Sequence, residues 1–268
     1  MRVHVLLSLL VLATAAACPV LAHAETSLPE AGADSAELAL AEAVIPTNNT
    51  GRPAGSDAAP IAEPKTDSNV SVTAYGHVAS GRIFQDQAFT LTEKPAFEGG
   101  VTVCYRGTLC VDAWQAVSLV GRSEDRETDL VVWKDVQLAE QTTLQVKSGR
   151  YWLPGPDVWD VKVTLTHEVS KACSVIASGE AMREGFVDNV AHAELACAVP
   201  LPGAFELDGN VGPSYSTWSG IMAVGYEVGV SHPVTDSFSL RAFAKGYTSK
   251  HGSDTVLGFG FSKGLAFK

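Results

Sequence analysis

The final strand-length stretch, Val256 to Lys268, alternates residue by residue. Phe259, Phe261, Leu265 and Phe267 share one parity, and Gly258, Gly260, Ser262, Gly264 and Ala266 share the other. Only Lys263 interrupts the bulky side. Bare glycine backbone weakens a strand and packs nothing, so a small-residue face turned to water would be expected to carry charge. The pattern asks for an apolar medium against the phenylalanines and a cramped interior against the glycines. Hydrocarbon supplies the first, and the lumen of a small closed barrel the second.

The same alternation runs back along the chain. Leu130, Val132, Val136 and Leu138 share a face with Lys134, opposite Asp129, Val131, Trp133, Asp135 and Gln137. Trp159, Val161, Val163 and Leu165 stand opposite Asp160, Lys162, Thr164 and Thr166. Met222, Val224, Tyr226, Val228 and Val230 stand opposite Ile221, Ala223, Gly225, Glu227, Gly229 and Ser231. Turn clusters between such segments predict twelve strands, near 70–82, 97–106, 109–121, 128–138, 142–152, 157–168, 172–180, 188–198, 203–211, 220–231, 237–248 and 254–267. Residues 70–268 number 199, or roughly 17 per strand with its connection, which suits transmembrane strands of about 9 to 11 residues. The fold class expected is all-β: a transmembrane antiparallel up-and-down barrel of about 12 strands.

The connections alternate too. With the first strand running outward, the turns at 106–108, 139–141, 168–171, 199–202 and 233–237 fall on the periplasmic side. The outer loops, 83–96, 122–127, 154–156, 181–187, 212–219 and 249–253, are on average longer, as in outer-membrane barrels. Aromatic girdles are expected from Tyr151, Trp152, Trp159, Tyr215 and Trp218 outside and from Tyr105, Phe205, Phe238 and Phe267 inside.

The N-terminal part has a different composition. Residues 1–24 carry one early arginine, an apolar stretch and an Ala-His-Ala ending, the pattern of a cleaved signal peptide. Residues 25–69 hold eight acidic residues against Arg52 and Lys65 and no aromatic residue. Such a segment buries too little apolar surface to offset its ordering entropy, and it reads as a disordered acidic periplasmic tether. The net charge of −11 argues against a nucleic-acid partner.

Four stretches, "KPAFEGGVTV", "ETDLVVWKDVQL", "SGRYWLPG" and "VPLPGAFELDGNVG", resemble in order pieces of the TorF-type porins, a proteobacterial outer-membrane family. The resemblance covers residues 70–268 and implies a barrel with pore activity. The first strand, "YGHVASGRIF", departs from the aromatic-Arg-Gly pattern of the family, and the acidic tether is an addition.

Four cysteines lie beyond the leader, and an exported chain makes disulfides the default. Across a three-residue turn at 106–108, Cys104 falls opposite Cys110. Cys173 and Cys197 are equidistant from Gly185. Two local bridges are expected.

By parity the lumen receives Glu98, Asp112, Asp129, Asp135, Lys147, Asp160, Lys162, Glu194, Asp208, Glu227, Arg241 and Lys245. This acidic majority predicts passive diffusion of small hydrophilic solutes with a preference for cations. Two other readings share the pattern. The charges could pair across strands and plug a small lumen in a structural or adhesion barrel. A soluble periplasmic β-sandwich that binds a ligand would also alternate.

No G-x-S-x-G or H-E-x-x-H occurs, so no catalytic residue, metal or cofactor is expected, although His77 and His192 should point inward. The expected partners are outer-membrane lipid, the barrel insertion machinery and the solutes; the sequence leaves oligomeric state open.

Overall fold

The computed structural model describes residues 69–84, 89–120, 126–153, 157–184 and 187–267. The signal-peptide reading and almost all of the tether lie outside the described residues. Every strand of the barrel pairs with the strand next to it, because a chain alternating at period two buries one face only in a sheet.

The strands are β1 (Val70–Ala79), β2 (Arg82–Phe84), β3 (Phe89–Thr92), β4 (Ala96–Tyr105), β5 (Leu109–Ser118), β6 (Glu127–Ala139) and β7 (Thr142–Trp152). They continue as β8 (Val158–Glu168), β9 (Cys173–Glu184), β10 (Asp188–Leu201), β11 (Phe205–Ser216), β12 (Ile221–Thr235), β13 (Phe238–Ser249) and β14 (Gly252–Phe267). Twelve of them close a barrel in the order β1-β4-β5-β6-β7-β8-β9-β10-β11-β12-β13-β14. The seam is an antiparallel pairing of β1 with β14, from Val70↔Phe267 to Ala79↔Gly258. Closure satisfies the backbone groups that an open edge would leave bare in hydrocarbon.

Face assignment follows the alternation. Leu130, Val132 and Val136 are exposed on the outside while Glu127, Asp129 and Trp133 are buried inside. On β14, Leu257, Phe259, Phe261 and Leu265 are exposed and Val256, Gly260, Ser262 and Gly264 are buried. The lipid-facing lysines sit where their cost is small. Lys134 pairs with Leu109 at the very start of β5 and with Val146 of β7, and Lys263 pairs with Phe238 at the start of β13 and with Ala74 of β1, so each is level with a periplasmic turn on one side. From there an aliphatic stem reaches the headgroup region.

Three features depart from the expectations drawn from sequence. The first outer loop contains a hairpin, β2–β3, outside the barrel ladder. The ninth barrel strand, β11, runs on through Pro213 to Ser216, so the expected loop at 212–219 shrinks to a turn at 217–220. The proline is tolerated because the ladder to β10 is interrupted at Gly212 and Pro213, where no amide is needed. Tyr151, expected in the outer girdle, faces inward and donates its hydroxyl to Asp160 Oδ2 at 2.8 Å.

In the three-residue periplasmic turn at 106–108, Arg106 and Gly107 both have positive φ, 51° and 65°, and the Thr108 amide donates to the Tyr105 carbonyl at 3.2 Å, a primed turn whose twist suits the flanking strands. Both expected disulfides are present. Cys104–Cys110 faces the lumen beneath that turn, and Cys173–Cys197 lies on the outer face of β9–β10.

A charge on the outer face should be penalised by depth. Val228→Lys, at the middle of β12, is expected to cost about 2–4 kcal/mol, and Val234→Lys, near its periplasmic end, about 0–1 kcal/mol. Urea unfolding of the vesicle-inserted chain measures both, and equal costs would contradict the membrane assignment of this face.

Candidate functional site

Twelve strands enclose a narrow lumen, and the inward side chains fill it from three levels. At the end where β1 leads into β2, Arg82 points into the barrel. Its Nε donates to Glu98 Oε1 at 3.0 Å and its Nη2 to Glu127 Oε2 at 2.6 Å. The guanidinium lies 5.4 Å from the centre of the Trp114 ring. These partners sit on β4, β5 and β6, in two adjacent ladder rows. Glu98, Ala116 and Glu127 form one row, and Gly100, Trp114 and Asp129 the next. Ala116 leaves room between the two carboxylates for the guanidinium to bridge them. His77 Nε2 stands 3.4 Å from the other oxygen of Glu98.

In the middle, Asp112 accepts from the Tyr75 hydroxyl at 2.7 Å and from Thr102 Oγ at 2.5 Å. Lys147 Nζ lies 3.6 Å from Asp160, and Lys162 Nζ lies 3.4 Å from Glu180. Towards the periplasmic end, Arg241 joins Asp208 and Glu227, while Phe243 lies 5.4 Å beneath its guanidinium. Gln145 donates to Asp135 at 2.9 Å, His192 Nε2 approaches Glu194 at 3.2 Å, and Lys245 stands opposite Glu227 in the ladder.

Several of these side chains reach past a neighbouring strand to the next one, and each crosses above a glycine. Tyr75 of β1 crosses β4 at Gly100 to meet Asp112 on β5; a Cβ at Gly100 would lie 2.8 Å from its hydroxyl. Arg241 of β13 crosses β12 at Gly229 to meet Asp208 on β11; a Cβ there would lie 2.5 Å from its Nε. The inner face of β14 is small for the same reason. Phe243 and His77 meet across it, ring centres 5.1 Å apart, over Gly258 and Gly260. The glycines of the C-terminal strand are thus filled from both sides by neighbouring side chains.

All twelve inward residues read from parity occupy the inner face, and they fall into separate groups. Glu98 belongs to the Arg82 group, with Asp129 in the adjoining ladder row. Lys147, Asp160 and Lys162 join Tyr151 and Glu180. Asp208, Glu227, Arg241 and Lys245 make a third group. Glu194, Asp135 and Asp112 hold local pairs.

Parity from short strands omitted Arg82, Glu127, Glu180 and Asp188. Glu127 lies in the loop read as 122–127 and Arg82 at the last position of the strand read as 70–82, while Glu180 is at the last position of a strand that continues to Glu184. Its face, shared with Ser174, Ile176 and Ser178, was a usable signal. Asp188 works at the outer rim, where it accepts from Ser216 Oγ at 2.7 Å and from the Trp218 amide at 2.8 Å, tying down the 217–220 turn.

No family model matches the chain, and no curated protein matches it. Among solved structures it is similar to the KdgM porin, with a TM-score of 0.53 at 7% identity over 74% of this chain and 99% of that one. A second structure, of the KdgM porin in complex with disordered oligogalacturonate, gives 0.52 at 8% identity over 74% and 99%. The NanC porin gives 0.51 at 10% identity over 72% and 100%. At these identities the likeness is one of fold: a porin-like transmembrane barrel.

Gly229→Val should push the Arg241 guanidinium off its path and strand Asp208. The expected loss is about 1–3 kcal/mol from overpacking alone, read as a lower urea midpoint in detergent micelles. Gly229→Val combined with Arg241→Ala should recover part of it, and no recovery would refute the crossing arrangement.

Proposed function

We propose that the chain is an outer-membrane channel of the TorF type that lets small hydrophilic solutes diffuse passively, with a preference for cations. One observation carries this reading. Inside an apolar outer wall, the buried carboxylates are Glu98, Asp112, Glu127, Asp129, Asp160, Asp188, Asp208 and Glu227, against Arg82, Lys162, Arg241 and Lys245 among the described residues. In a low-dielectric cylinder such an excess draws cations and repels anions.

The fold shared with the KdgM and NanC porins supports a channel. The oligogalacturonate of the KdgM complex is a polyanion, and the acidic wall here disfavours that class of solute. In this reading residues 1–24 are removed on export and residues 25–69 hang in the periplasm. Lipid covers the outer wall, and the insertion machinery engages the aromatic C-terminal strand. We assign no catalytic activity and no cofactor.

One observation favours a second reading, a sealed barrel with a structural or adhesion role. Asp160 is 0% exposed, Arg241 2% and Lys162 4%, so ion pairs pack the lumen at these levels.

Planar-bilayer recording separates the two. The channel reading expects conductance steps and, under a salt gradient, a reversal potential of the sign for cations. Asp135→Asn with Glu194→Gln should move that potential towards zero while the steps persist. A correctly folded sample without steps would overturn the channel and leave the sealed barrel.

A further inference from the structure

The group around Arg82 differs from the other ion pairs of the lumen in where its cation comes from. Lys147, Lys162, Arg241 and Lys245 belong to barrel strands, whereas Arg82 belongs to the β2–β3 hairpin, which has a sheet of its own. Away from Arg82 and its neighbour Ile83, the hairpin is fastened by Thr90, which donates to Asp254 at 2.6 Å and meets the Tyr247 hydroxyl at 3.1 Å. The receiving side is built entirely from the wall. Two carboxylates from β4 and β6 clasp the guanidinium, and the face of Trp114 from β5 lies beside it. Paired carboxylates with an aromatic face are the chemistry that selects a planar, delocalised cation over a compact ammonium.

A third carboxyl group, Asp129, stands in the adjoining ladder row, and His77 is the second base at the site, 3.4 Å from Glu98. Asp129 is 7% exposed, and its Oδ1 is buried with no hydrogen-bond partner.

We propose that Glu98, Glu127 and Trp114 form a binding site for guanidinium-bearing solutes, and that Arg82 occupies it as a tethered internal ligand that such solutes displace. The proposal rests on the channel reading, which brings solutes to this end of the lumen. A tethered ligand competes at an effective concentration of the order of millimolar, so a free guanidinium compound meets the site already largely filled.

The test is isothermal titration calorimetry of agmatine into the full-length chain folded in detergent, with putrescine and glutamate as comparison solutes. Arg82→Ala should bind agmatine at least about tenfold more tightly than the unaltered chain, because the competitor is gone. Arg82→Ala combined with Glu127→Gln should lose that gain. Putrescine should bind more weakly than agmatine, and glutamate should give no heat.

Equal agmatine affinity in Arg82→Ala and the unaltered chain, with folding checked by heat-modifiable gel mobility, would overturn the proposal. So would a gain that survives Glu127→Gln. If Arg82→Ala fails to fold, Arg82→Lys carries the test, since an ammonium lacks the two-pronged fork. A tighter agmatine affinity than that of the unaltered chain then supports the site, and an equal one overturns it. Calorimetry needs no conduction. Binding without conductance steps would sink the channel reading alone, and steps without binding would sink this site alone.

Discussion

The structure depends first on the hydrogen-bonding demand of a backbone surrounded by hydrocarbon. Each N–H and C=O left without a partner there costs several kcal/mol, and a sheet has two edges to hide. Pairing β1 with β14 removes both. Once the sheet is closed, every strand has one face to lipid and one to the interior, and the alternation of the sequence becomes a partition between two media. The exposed leucines, valines and phenylalanines of the outer wall, which would be a liability in water, are then the expected cover.

Closure at twelve strands makes space the scarce quantity inside. The lumen holds Trp114, Trp133, Tyr75, Tyr151, Phe243, Arg82 and Arg241, side chains too large to stand upright together. They lie down along the wall, and a residue that lies down covers its neighbour. Glycine at Gly100, Gly229, Gly258 and Gly260 accepts that cover. The same geometry lets a charge find a partner two strands away, as Arg241 finds Asp208. Buried charges in so narrow a space must be paired locally.

Much of this was legible in the sequence because period two needs no knowledge of neighbours. The faces of β6, β8, β12 and β14 could be read directly, and the symmetric placement of each cysteine pair about a turn gave the bridges. What escaped depends on where strands stop and on what stands opposite. Gly212-Pro213 reads locally as a turn, and only the interrupted ladder to β10 explains its place in a strand. Tyr151 reads as a girdle residue until its partner, Asp160 on β8, is known. Arg82 and Glu127 lie 45 residues apart in segments without clear periodicity, so nothing along the chain announces their meeting.

The two cystines stand on opposite sides of the wall, one inward at β4–β5 and one outward at β9–β10, and each joins residues that are direct ladder partners. A slip of one residue in such a hairpin would exchange its two faces and turn buried carboxylates towards acyl chains. A covalent tie between opposed positions admits a single alignment. Whenever these bonds close before the strands zip together, the two hairpins enter assembly with their inside and outside already decided, as fixed templates against which β1, β6, β8 and β11 align.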